Sequence, residues 1–228
     1  MGSQVSGIGL FILLGMLCTH GVSHAQNFGG GVNAGVAASE VSGDRAGGPD
    51  KLGWYAGVFT YLPFSENSRL QLEISYVQKG SRALRIGEAS SFIRDYKLNL
   101  HYIEVPLVFQ MDFAPLIRLP YVERLTAEFG FSGSTVVGHR EKEDGKDIST
   151  ATAEQKPFRM AELNVLTGLY YPVSEKLSFH LRFSQGITPF RSHQGGSATW
   201  YNRGQYHTVW TFGLTYFFLP AEGLLISR

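Results

Sequence analysis

Apolar and polar residues alternate along most of the chain, and the pattern is clearest at residues 69–78 (RLQLEISYVQ). Apolar residues or tyrosine fill the even positions from 70 to 76, whereas Arg69, Gln71, Glu73 and Ser75 fill the odd positions. Successive side chains of a β-strand point to opposite faces, so this period of two indicates a strand with one apolar and one polar face. Similar patterns predict eight strands, at residues 28–38, 52–62, 69–78, 95–111, 125–137, 161–171, 177–184 and 206–218.

The connections between these strands alternate in length. Those at 63–68 and 172–176 are short, that at 114–124 is of moderate length, and those at 39–51, 80–94, 138–157 and 189–205 are long and polar. Outer-membrane barrels combine short periplasmic turns with long external loops. The expected fold is therefore all-β: an eight-stranded antiparallel up-and-down transmembrane β-barrel, closed and side-chain-filled.

The start of the chain predicts export. Residues 8–18 form an apolar run of eleven residues, which is too short to span a bilayer as a helix. Small residues around Ala25 suit a signal peptidase, so we expect residues 1–25 to be a cleaved signal peptide. Residues 26–218 would then form the barrel domain and residues 219–228 a C-terminal tail. A lipoprotein cysteine at Cys18 is the alternative, although Leu17 fits that signal poorly.

Composition narrows the classes of function. Charged residues make up 17% of the chain, below the roughly 25% of a typical soluble domain. The formal net charge of +1 indicates no preference for nucleic acid. Aromatic residues at 13% and 27 glycines suit a β-rich protein whose wall does not face water.

Several segments are shared with a known family. They are the glycine-rich opening at 29–35, the Pro-hydrophobe-Ser-Glu turns at 63–66 and 172–175, the strand end at 76–81, the strand at 100–107 (LHYIEVPL) and the closing aromatic strand at 212–217. Together they resemble the PorT-type outer-membrane β-barrel family. The resemblance implies an eight-stranded barrel in the outer membrane and little about activity, because the barrel defines that family. Its named member is linked to protein secretion, a role that these residues do not transfer to this chain.

Charged residues fall on the polar faces of the predicted strands. They are Glu73, Glu104, Glu128, Glu162, His180 and Arg182. Because buried charges in a narrow barrel need partners, we interpret them as a structural ion-pair network that fills the lumen. We expect Arg182 to pair with at least one of the glutamates. A proton or ion path, or a paired-carboxylate acid–base site, is the alternative interpretation.

Aromatic residues near the predicted strand ends are typical of the girdles that mark a membrane interface. Those assigned to the interface are Trp54, Tyr61, Trp200, Tyr201, Trp210, Tyr216 and Phe217. Aromatic pairs within a sheet would produce similar positions.

The long connections contain candidates for catalysis or metal binding. The catalytic candidates are His139, Asp144, Ser192 and His193. No G-x-S-x-G elbow surrounds the serine, and His139, His193 and His207 lack the spacing of a metal site. We therefore expect no enzymatic activity, no cofactor and no metal. The charge run at 140–147 (REKEDGKD) predicts a solvated loop tip with Asp144–Gly145 as its turn.

Three functions remain open at this point. The favoured one is a non-enzymatic outer-membrane barrel, structural or accessory to secretion, transport or surface interaction through its long external loops. The alternatives are an outer-membrane lipid hydrolase or acyltransferase and a soluble periplasmic lipid-binding barrel. The expected partners are outer-membrane lipid and possible envelope or secretion-system proteins, with no nucleic acid. The sequence does not indicate an oligomeric state.

Overall fold

The computed structural model describes residues 28–42, 50–83, 95–114, 119, 121–150, 157–191 and 204–218. The strands are β1 (Gly29–Ser42), β2 (Lys51–Ser65), β3 (Ser68–Ala83), β4 (Tyr96–Asp112), β5 (Thr126–Glu143), β6 (Lys146–Asp147), β7 (Ala161–Pro172), β8 (Leu177–Gly186) and β9 (Tyr206–Phe217). Eight of them correspond to the eight predicted strands, and β6 adds a pair of residues. Within the described part of the chain, no helix is long and apolar enough to cross a membrane.

The strands close into a barrel in which every neighbouring pair is antiparallel. The order is β4-β3-β2-β1-β9-β8-β7-β5, and pairing between β4 and β5 joins the two ends of the sheet. Strand β6 pairs only with the last residues of β5, so it extends a hairpin and takes no part in the wall. The predicted closed, eight-stranded antiparallel barrel is thus confirmed.

The two faces of the wall have opposite chemistry. On β3 the inward side chains of Gln71 and Glu73 are buried, whereas Leu72 and Ile74 face outward and are exposed. The outward faces of the other strands are also largely apolar, with exposed Val105, Leu107, Phe129, Phe131, Phe179, Phe212 and Leu214. A soluble lipid-binding barrel needs the reverse arrangement, a polar exterior around an apolar cavity. That alternative is therefore wrong for this protein.

One side of the barrel is taller than the other. Strands β3, β4 and β5 contain 16, 17 and 18 residues, whereas β7, β8 and β9 contain 12, 10 and 12. A tilted transmembrane strand needs about 9–11 residues, so the longer strands extend beyond the membrane. We call residues 78–83, 96–101 and 138–143 the ridge. The ridge is capped by the predicted turn, in which Asp144 (φ 48°) and Gly145 (φ 78°) both adopt positive φ.

Some predicted features lie outside the described residues. They are the signal peptide at 1–25, the tail at 219–228, the interface residues Trp200 and Tyr201, and the candidate catalytic residues Ser192 and His193. These remain predictions.

Candidate functional site

The centre of the lumen is organised around Arg182 on β8. Its Nε donates to Glu128 Oε1 at 2.6 Å, and its Nη2 donates to Glu73 Oε2 at 3.2 Å. The hydroxyl groups of Tyr55 and Tyr170 lie 3.3 and 3.2 Å from the same guanidinium. One cation is therefore shared by two carboxylates inside the wall, and we call these five residues the Arg182 cluster.

A glycine makes the contact between Arg182 and Glu128 possible. Glu128 on β5 pairs with Gly168 on β7, which pairs in turn with Arg182 on β8, so all three face the lumen. A Cβ atom added to Gly168 would lie 2.6 Å from Glu128 Oε1, closer than real Cβ contacts. Because Gly168 has no side chain, Arg182 and Glu128 can contact each other across β7.

Amides and an imidazole extend the Arg182 cluster toward the short turns. Arg69 Nε donates to Gln110 Oε1 at 2.5 Å, and Gln110 Nε2 donates to Gln71 Oε1 at 3.3 Å. His180 Nδ1 lies 3.0 Å from the hydroxyl of Thr215. Most of these groups receive their partners from other strands, so the cluster ties the wall together across the lumen.

Glu104 and Glu162 belong to a second group of charges, closer to the long connections. Lys79 Nζ lies 2.8 Å from Glu104 Oε2. The other oxygen of the same carboxylate, Glu104 Oε1, accepts a hydrogen bond from the Ser132 hydroxyl at 2.6 Å. His207 Nδ1 lies 3.0 Å from Glu162 Oε2. The six charged residues predicted from the sequence are therefore all inside, but they divide between two separate networks.

Sequence reasoning missed several partners in these networks. Lys79 continues the inward parity of residues 69, 71, 73 and 75, so extending β3 by one residue would have placed it inside. Tyr55 and Tyr170 likewise share the parity of the polar faces. His207 was considered only as a metal ligand, although it begins the inward series of β9.

The end of the lumen nearest the long connections, which we call the external end, is closed by apolar residues and a further ion pair. Arg191 Nη1 lies 3.2 Å from Glu141 Oε2, and the ring of Phe158 lies 4.6 Å from the guanidinium carbon. Phe190 stacks on His207 at 3.9 Å between ring centroids. Phe190 also belongs to a buried cluster with Val41, Leu98, Leu100 and Tyr102. We call this layer the external cap.

The opposite end is closed by aromatic rings, which corrects two predictions. Phe59, Tyr61 and Phe217 form a buried cluster, with the Arg69 guanidinium 5.4 Å from the Phe217 ring. Tyr61 and Phe217 are 6% and 1% exposed, so their assignment to the membrane interface is wrong. Both residues share the parity of the inward series, and the narrow end of the lumen needs bulky side chains to fill it. Trp54, by contrast, faces outward and is 68% exposed.

The other predicted interface residues within the described chain also face outward. Trp210 and Tyr216 on β9 are both exposed on the outer face. Trp210 packs against Phe183 of β8 at 4.8 Å between ring centroids. An outward aromatic pair of this kind is expected both for a girdle at the membrane interface and for aromatic pairing within a sheet.

The candidate catalytic residues that are described do not come together. His139 is exposed at the end of β5 with its ring 5.1 Å from Phe158. Asp144 Oδ1 accepts the backbone N–H of Asp95 at 3.1 Å. Among the residues that the structure describes, no three potential metal ligands (His, Cys, Asp or Glu) lie close enough together to hold a metal ion.

Comparison with known proteins gives the family. The family model for the outer membrane protein beta-barrel domain matches residues 24–192 of the 228 residues. The chain belongs to this family. It is therefore an outer-membrane β-barrel protein, and its location is the outer membrane. No curated protein sequence gives a match.

Solved structures of small barrels are similar in outline. Ail of Yersinia pestis, determined with the heparin analogue sucrose octasulfate, is 11% identical with a TM-score of 0.44, covering 84% of this chain and 99% of its own. Neisserial surface protein A is 14% identical with a TM-score of 0.44, over 83% and 96%. OprG from Pseudomonas aeruginosa is 15% identical with a TM-score of 0.38, over 84% and 94%.

Proposed function

We propose that this outer-membrane protein is a non-enzymatic, non-conducting barrel that acts through its external face. Its role is accessory to secretion or transport, or to surface interaction, with other envelope proteins as partners. The observation that carries this proposal is the filled lumen. Aromatic rings, the Arg182 cluster, the second charge network and the external cap follow one another along its length.

A filled lumen favours a structural role for its charges. Arg182, Glu73 and Glu128 are buried and contact one another directly. Moving an ion through this layer would require breaking buried charge-assisted hydrogen bonds, and each uncompensated buried charge is costly. An interior used for chemistry would also need access for a substrate, whereas these side chains occupy the space.

We further propose that the protein is of the PorT type within its family. The segment at 100–107 that carries the resemblance builds the barrel itself. Leu100 and Tyr102 belong to the external cap, and Glu104 binds Lys79 and Ser132. A family signature made of wall and packing residues supports shared architecture, and it leaves the recognition of partners to the external surface.

The ridge is the part of that surface best suited to contact a partner. It extends the sheet beyond the membrane, and β6 continues it as an ordered hairpin with Lys142 opposite Asp147. A rigid sheet can hold contact residues in fixed positions, unlike an isolated loop.

Three measurements test the proposal. Purified protein in a planar phospholipid bilayer should give no steady conductance, and incubation with phospholipid vesicles should release no fatty acid. In cells lacking the gene, the amounts of secreted or surface-attached proteins should change. Restoring the wild-type gene should reverse that change, whereas a variant with residues 144–150 replaced by Asn-Gly should not. Steady conductance or fatty-acid release by the wild type would overturn the proposal.

A further inference from the structure

Three cations lie directly opposite one another on the ridge. Arg82 of β3 pairs with Lys97 of β4, and Lys97 pairs with Lys142 of β5. Neighbouring strands are about 4.8 Å apart, so the three side chains leave adjacent positions within a span of about 10 Å. We call them the cation row. Arg140, two residues before Lys142, is a fourth cation beside the row, and it forms an ion pair with Asp147 at 3.7 Å.

The cation row faces outward. Its neighbours in sequence, Ser81 and Leu98, are buried inside the barrel, so the alternation of the strands turns Arg82 and Lys97 to the outer surface. Both are exposed, and Lys142 is half-buried. The cations therefore belong to the surface that surrounds the barrel and not to the lumen.

The protein itself neutralises little of this charge. Among the described residues, no carboxylate forms an ion pair with Arg82, Lys97 or Lys142. Asp147 lies opposite Lys142, but its carboxylate accepts the Ser149 hydroxyl and backbone N–H, and its Oδ2 lies 3.7 Å from Arg140 Nε. These hydrogen bonds lower the pKa of Asp147. Like charges directly opposite in a sheet are destabilising, so a bound anion would stabilise a row of three.

The backbone of the row lies above the headgroup layer, and its long side chains can reach back toward that layer. Apolar outward residues on β3 and β4 end at the pair Tyr76 and Ile103, and Arg82 and Lys97 lie six residues farther along. Six residues correspond to about 20 Å along a strand and about 14 Å in height at a tilt of about 45°. Long basic side chains turn their charges back toward the membrane. They can thereby approach the headgroup layer, which adds about 5–8 Å to each side of the hydrocarbon core.

The opposite side of the barrel lacks such a row. At the external ends of β8, β9 and β1, the outward positions are occupied by Gln185, Thr208 and Glu40. These three outward positions carry no positive charge, so a ligand held by cations would bind on the ridge side.

We propose that Arg82, Lys97 and Lys142 bind the phosphate of an anionic lipid headgroup in the external leaflet of the outer membrane. The apolar wall below the row contacts the acyl chains, and the cations hold the headgroup. A lipid fits better than a soluble anion because the row lies above the lipid-facing wall, where its side chains can reach the headgroup layer.

The test uses the full-length folded protein in zwitterionic detergent micelles. Phosphatidylglycerol and phosphatidylcholine are added separately, and bound lipid is counted by native mass spectrometry. The variant is Arg82→Gln/Lys97→Gln/Lys142→Gln. The matched control is Lys146→Gln/Arg159→Gln/Lys176→Gln, which removes three exposed cations outside the row. A change of gel mobility on heating verifies that each variant is folded. If the triple variant does not fold, the single variant Lys97→Gln is used in its place.

Wild-type protein and the control should bind phosphatidylglycerol at least about tenfold more tightly than the row variant, since each cation near an anionic lipid adds to binding. Binding should weaken as salt is added. Phosphatidylglycerol should also raise the melting temperature of the wild type and not that of the row variant. Equal binding by wild type and row variant, or an equal loss in the control, would overturn the proposal. If an equal concentration of inorganic phosphate displaced the lipid completely, the ligand of the row would be a soluble anion, and the lipid proposal would be overturned.

Discussion

Cations have opposite surroundings in the lumen and on the ridge. Inside, Arg182 is placed between Glu73 and Glu128, and Lys79 contacts Glu104. On the ridge, Lys97 is placed between Arg82 and Lys142, which carry the same charge. Burial makes an unpaired charge too costly to keep, whereas water and salt make repulsion between exposed cations tolerable. Pairing inside therefore indicates structure, whereas Arg82, Lys97 and Lys142 form no ion pair with a described carboxylate and leave room for a ligand.

The largest effect is expected from Arg182→Met. The substitution leaves Glu73 and Glu128 buried without their shared cation, so the free energy of unfolding should fall by about 3–5 kcal/mol. Urea unfolding of protein folded into phospholipid vesicles, followed by tryptophan fluorescence, measures the loss.

The matched control is Arg140→Met on the ridge. The side chains of Arg140 and Asp147 are 65% and 52% exposed and 3.7 Å apart, and we expect the loss of such an exposed, solvent-screened pair to leave stability nearly unchanged. Equal losses for the two variants would contradict the distinction between lumen and ridge.

A smaller loss is expected from Lys79→Met in the second network. Glu104 loses its ion-pair partner, and the Ser132 hydroxyl still donates to its carboxylate. The free energy of unfolding should fall by about 2–3 kcal/mol, within the range for a charged group left partly unsatisfied. The same urea experiment applies, and adding Glu104→Gln to the variant should recover part of the loss. A double variant less stable than Lys79→Met would show that the pair is not the origin of the effect.

Gly168→Ala tests whether the space beside Gly168 is needed for the contact between Arg182 and Glu128. The added methyl group would meet Glu128 Oε1 and the backbone oxygen of Leu181, each at 2.6 Å. Overpacking of this kind costs about 1–3 kcal/mol, and we expect a loss in that range. Gly133→Ala is the control, because nothing lies within 4 Å of its added Cβ. If both alanine variants unfold at the same urea concentration, the gap at Gly168 has no structural importance.

The alternation of residues was sufficient to predict the wall and the direction of its side chains. The same alternation places Tyr61 and Phe217 in the inward series of β2 and β9, which contradicts their predicted position at the membrane interface. Their aromatic character suggested the membrane interface, but a side chain's parity decides which face it occupies.

The partners of each charge could not be predicted from alternation. Arg182 and Glu73 lie on strands that do not pair, and they meet only because the closed barrel brings β8 and β3 across the lumen. The ridge was missed for another reason. Residues 79–83 and 138–143 are polar or glycine at most positions, so they lack the apolar alternation that marks a strand.

The smallest effect, and the only one of opposite sign, is expected from Lys97→Gln. Removing the central cation of the row relieves repulsion from Arg82 and Lys142, so stability should rise by about 0.2–1 kcal/mol. The measurement is urea unfolding in vesicles of phosphatidylcholine at low salt, where no net-anionic headgroup compensates the charge. Raising the salt concentration should reduce the difference, because the charges are exposed. A loss of stability comparable with that of Lys79→Met would mean that Lys97 has a structural partner. The ridge would then follow the same rule as the lumen, in which every cation is held by the protein itself.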